Sequence, residues 1–112
     1  MERATCEFRV AVANLDERER LVRDLGARNA MVLRNLGLLA AGEPAAKAFH
    51  EIYMLERACQ AHIQAMVGGA RLIVPGADVS GRTARQFEMD SSSGIIEIAR
   101  NAALRLIEDS RP

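Results

Sequence analysis

The chain has 112 residues, enough for one domain, or a piece of one, with a modest core. Acidic and basic residues number 15 each, so no net field draws it to nucleic acid or to an anionic membrane surface. No apolar run reaches the length of about 18 residues that a membrane span needs, and the first six residues lack the apolar core of a signal peptide.

The first predicted element is a short Val-rich strand over residues 8–13. Asp16 then caps a helix, with Glu19 three residues on in the manner of a capping box. Leu21, Val22 and Leu25 form its apolar side, Gly26 ends it, and the charge run from Asp16 to Arg20 reads as a solvated face. Ala30, Met31, Val32 and Leu33 are an apolar run, the pattern of a strand buried on both faces. Asn35, Leu36 and Gly37 break it in a tight turn, because Asn and Gly tolerate positive φ. Leu38, Leu39, Ala40 and Ala41 resume it as a second strand.

Gly42, Glu43 and Pro44 open a long helix over residues 45–67, with Pro44 suited to a first helical turn. Phe49, Ile52, Leu55, Cys59, Ile63 and Met66 recur at spacings of three and four and make one apolar stripe. Such a helix is expected to be the central packing element, with Phe49, Ile52 and Tyr53 in the core. Gly68 and Gly69 stop it. Residues 72–75 suit an extended connection, since Pro75 argues against a central strand. Residues 79–89 suit a short polar helix, and residues 90–94 a turn whose Ser92 or Ser93 caps a last amphipathic helix from Ile95 to about Glu108. Arg111 and Pro112 are expected to fray.

The Asn35, Leu36, Gly37, Leu38, Leu39 turn, followed by Ala48, Phe49, Tyr53 and the run Leu55, Glu56, Arg57, Ala58, Cys59, Gln60, resembles the C-terminal half of the class II aldolase/adducin family. The likeness begins near Leu15 and runs to about Glu88, roughly two thirds of the chain. It implies an α/β fold: a partial aldolase/adducin-like α/β/α domain, helix-dominated with a few short strands, filling residues 1–112 as a single domain. It also implies an enzyme plan. The related aldolases hold zinc or another divalent metal through three histidines, two from a His-x-His pair in the N-terminal half and one from this turn. The metal acts as a Lewis acid on substrate oxygens, and a carboxylate from the N-terminal half serves as acid/base.

This sequence departs from that plan. Leu36 stands at the metal-ligand position of the turn, and a leucine has no lone pair to donate. No His-x-His pair occurs in these residues. His50 and His62, twelve residues apart on one helix, differ by about 120° around the axis and roughly 18 Å along it, so they do not share a metal. Cys59 lies on the apolar stripe and reads as a small buried hydrophobe, and Cys6 is too distant to pair with it in a metal motif. Catalytic residues and metal ligands are therefore none. The site-adjacent candidates are Asn35 and Gly37 in the turn, Glu56 in a structural ion pair or a capped pocket, and His62 as a hydrogen-bonded core or interface residue.

The functional expectation is a non-catalytic family member or truncated paralogue, leaning away from an enzyme. It acts through self-association as a homo-oligomer or through a partner chain, because related proteins form tetramers and a half-domain leaves apolar surface and sheet edge uncovered. The rival is one subunit of a metal-dependent sugar-phosphate aldolase or lyase, with a complementary N-terminal-half chain supplying metal ligands and acid/base. No cofactor is expected for this chain alone, and no nucleic-acid partner or membrane insertion. Cysteine usage fits a reducing cytoplasm.

Overall fold

The computed structural model describes residues 5–7, 15–34 and 36–110. Among these residues three short strands form a sheet in the order β1 (Thr5–Glu7), β2 (Ala30–Arg34) and β3 (Gly37–Ala40). β1 runs parallel to β2, with Cys6 opposite Leu33, and the helix α1 (Leu15–Leu25) lies between them in sequence. A parallel pair requires such a crossover. β2 and β3 are an antiparallel hairpin, Met31 opposite Leu39 and Leu33 opposite Gly37. The strand expected over residues 8–13 lies outside the described residues.

β2 alternates rather than being buried on both faces. Met31 and Leu33 are 2% and 6% exposed, while Ala30 before them and Val32 between them are only half-buried. Side chains two apart share a face of a pleated strand, so Met31 and Leu33 point together toward α1. There Leu21 is buried against them, with Leu25 and Leu39 at the margin. This is the main core. The start of α1 corrects two expectations. Asp16 is inside the first turn rather than before it. Glu17, one member of the charge run, is buried one turn before Leu21 on the sheet-facing side, with Arg20 paired to it. A buried carboxylate is tolerable because the guanidinium shares its charge.

The long helix α2 is Ala45–Met66, with Pro44 as its N-cap, one position earlier than the first helical turn. Gly68 and Gly69 follow at φ 86° and 72°, a region where a Cβ would clash with the backbone. α2 packs on β3 and β2 through its first half, burying Ala46 and Glu51. Its stripe divides there. Phe49, Ile52, Leu55 and Cys59 are half-buried, but Ile63 and Met66 are 65% and 54% exposed. The helix is the central element only over its first half, and its second half projects. Periodicity marks a face that favours burial; it does not supply the surface that buries it.

α3 (Ala77–Ser91) and α4 (Ile95–Leu106) complete the chain, followed by a 3-10 turn at Glu108–Ser110. α4 packs on α2 and on α3, with Ile96 buried. Neither serine caps α4. Ser92 and Ser93 instead donate their hydroxyls back to the Met89 and Asp90 carbonyls at the end of α3, and Gly94 is the N-cap. Acceptors three residues back outcompete the amides ahead. Residues 70–76 belong to no helix or strand, and residues 111–112 lie outside the described residues. No helix among the described residues is long and apolar enough to cross a membrane.

Candidate functional site

Two regions bring polar or motif residues together, the β2–β3 turn and a cluster on the far side of α2. In the turn, the Leu36 amide donates to the Leu33 carbonyl at 3.3 Å and closes the hairpin. Gly37 follows at φ 137°, the conformation that selects glycine here. Leu36 is 57% exposed, so the turn is at the surface and not buried as an apolar turn would suggest. Asn35 lies outside the described residues. A metal at this turn would meet a hydrocarbon side chain. The residues present do not fit a catalytic metal, which needs nitrogen, oxygen or sulfur donors converging on one point.

The other sequence candidates separate in space. Glu56 is exposed and accepts a hydrogen bond from Gln60 one helical turn on, at 3.1 Å, in place of the expected ion pair. His62 is exposed on the projecting half of α2, not in the core. His50 is half-buried. Its ring stacks on Phe87 of α3, centroids 5.0 Å apart and planes within 17°. Tyr53 is 46% exposed and carries the Arg57 guanidinium over its ring, 5.4 Å from the centroid. Among the described residues no three His, Cys, Asp or Glu side chains gather as a metal site would require.

The residues that do converge were not legible as a motif. Asn29, just before β2, donates its side-chain amide to Glu51 Oε1 of α2 at 3.3 Å and to Glu88 Oε1 of α3 at 2.8 Å. Lys47, one turn before Glu51, reaches the other Glu88 oxygen at 3.5 Å. The cluster edges a depression of about 310 Å³, with Arg28 and Phe87 on its walls. Glu51 is 9% exposed. Desolvation pushes its carboxyl above the ordinary range, and nearby Glu88 pushes the same way. The Asn29 hydrogen bond and the charges of Lys47 and His50 pull against this. The arrangement ties β2, α2 and α3 together through one amide and two carboxylates. It holds no nucleophile with an adjacent base. Its residues are 22 and 59 positions apart, so no local spacing announces them.

The comparison with known families bears on the turn and on α2. The family model described as Class II Aldolase and Adducin N-terminal domain matches residues 3–63, more than half of the chain. The chain belongs to the class II aldolase and adducin family. The match takes in the β2–β3 turn and nearly all of α2, and it begins before the Leu15 boundary read from the sequence. A Pseudomonas aeruginosa relative named "Putative aldolase class 2 protein" is 38% identical over 102 residues, 88% of this chain and 39% of its own length. A Caulobacter vibrioides relative with the same description is 45% identical over 53 residues, 47% of this chain and 21% of its own. The crystal structure of an aldolase II superfamily protein from Pseudomonas syringae superposes with a TM-score of 0.79 at 34% identity, covering 96% of this chain and 43% of that one. The fold is therefore the family's α/β fold, dominated by helices. This member of the family spans about two fifths of the length of the P. aeruginosa relative and of the solved structure.

Proposed function

We propose that this chain is a non-catalytic member of the class II aldolase and adducin family that works in the cytoplasm by self-association. The observation that carries the reading is Leu36. It occupies the turn from which the family's aldolases draw a metal ligand, and its exposed aliphatic side chain offers no donor. The projecting half of α2 supports the second part. Ile63, Met66 and Val67, with Ile73 and Val74 just beyond in the chain, are between 54% and 96% exposed, an apolar stretch that favours association. A second copy, or a partner chain with the remainder of the family domain, would cover it.

The rival reading is one subunit of a metal-dependent sugar-phosphate aldolase or lyase. The relatives' aldolase names and their greater length favour it. One set of measurements separates the two. The purified chain is analysed for molar mass, for metal retained after dialysis, and for cleavage of ketose and aldose phosphates with added zinc or manganese. The expected result is a dimer or larger species without tightly held metal or turnover. Near-stoichiometric metal together with turnover would put the enzyme first.

A further inference from the structure

We propose that the outward face of α4, with the apolar groove it forms against α2, is the surface on which two copies of this chain pair, their α4 helices antiparallel across a two-fold axis. This rests on the self-association reading and assigns it a surface. Ile96 turns inward and is buried, but Ile95, Ile98 and Leu106 are 60%, 71% and 86% exposed. At 100° per residue these three and Ala99 and Ala102 fall within an arc of about 100° that is wholly apolar. The groove beside the arc has a volume of about 400 Å³, with Phe49, Tyr53 and Met54 of α2 on one wall and alanines of α4 on the other. Ile95, Ile98, Leu106, Tyr53 and Met54 together leave on the order of 600 Å² of side chain in water. That is the upper end of what a monomer exposes, and close to the roughly 800 Å² per partner of a stable interface.

The order of sizes along the arc points to a second copy. It is bulky at Ile95 and Ile98, small at Ala99 and Ala102, and bulky again at Leu106. Pairing the helices antiparallel about the midpoint between the two alanines sets Ile95 opposite Leu106 of the second copy. Ala99 then faces Ala102 of the second copy, so the backbones approach closely where the side chains are small. Charge selects the same direction. Arg105 borders the arc, and in a parallel pair the two copies of Arg105 would stand level with like helix poles beside them. In the antiparallel pair they lie about 13 Å apart along the axis, beyond the Debye length at physiological salt.

The test is sedimentation equilibrium of the full chain at micromolar concentrations, with circular dichroism melts to show that each variant folds. The parent is expected to dimerise, and Ile98→Asp and Ala102→Glu to raise the dimer Kd at least about tenfold. Val22→Asp, at a position 71% exposed on α1, is expected to leave Kd unchanged. In a Cys6→Ser, Cys59→Ser background, mixing Ile95→Cys chains with Leu106→Cys chains is expected to give a disulfide-linked heterodimer. A parent that stays monomeric overturns both this surface and the self-association reading. A dimer untouched by Ile98→Asp and Ala102→Glu overturns the surface alone. Cross-linking of Ile95→Cys chains with themselves, and not with Leu106→Cys chains, overturns the antiparallel arrangement.

Discussion

Asn29 and Glu51, 22 residues apart, meet where the start of β2 passes the first half of α2, the Asn29 amide donating to the Glu51 carboxyl at 3.3 Å. The same amide holds Glu88 of α3 at 2.8 Å. One neutral side chain thus separates two carboxylates that would otherwise repel, and it does so at the junction of three elements.

That junction gives the fold a pH dependence. Burial raises the Glu51 carboxyl in the folded state, so folded chains hold this proton at pH values where unfolded chains have lost it. The folded state binds more protons just above the ordinary carboxylate range, and stability therefore falls as pH rises through that window. It levels off once the folded pKa is passed. Glu51→Gln keeps an acceptor for Asn29 and removes the titration. Thermal melts from pH 4 to 7 are expected to show a smaller decline for Glu51→Gln than for the parent. Equal declines would place the dependence elsewhere.

Among the described residues Met31 is the most buried large side chain, at 2% exposure, and packs in the cluster with Leu21 and Leu33. Met31→Ala is expected to lower unfolding free energy by about 2–5 kcal/mol, read from urea melts with the slope held constant. For so small a core that is a large share of the total. Phe49→Ala should cost less than Met31→Ala, because Phe49 is only half-buried beside the α2–α4 groove. If Phe49→Ala cost more, the groove would have to be closed in solution.

Gly37→Ala isolates a backbone effect. A Cβ there meets nothing within 4 Å, but φ is +137°. The expected cost is about 1–3 kcal/mol, with no change in the urea slope. A neutral result would show that the hairpin relaxes its turn.

Leu36→His restores the imidazole that the turn of related aldolases carries. One histidine on an exposed turn falls short of the three ligands a zinc site needs, and no three His, Cys, Asp or Glu gather among the described residues, so dialysed protein should hold no stoichiometric zinc and melt as the parent does. Tight zinc binding by this variant, absent in the parent, would mean that donors from a second copy converge on the turn.

Much of the local structure was determined by the sequence alone. The glycines at 37, 68 and 69 sit where positive φ is needed, the apolar runs before and after the turn are strands, and the three and four spacing from Phe49 onward is a helix. These are short-range consequences of backbone sterics and side-chain period, and the same short segment carried the family likeness through residue 63. Burial was decided elsewhere. The stripe on α2 repeats without interruption from Phe49 to Met66, yet only the half lying on the sheet is covered, since covering depends on which elements stand opposite. Glu17 reads as one more charge in a solvated run and is buried, because it falls on the α1 face turned toward Met31 and Leu33. The Asn29, Glu51 and Glu88 cluster spans 59 residues and exists only once β2, α2 and α3 are packed; a hydrogen bond between distant side chains leaves no periodic trace in the chain that makes it.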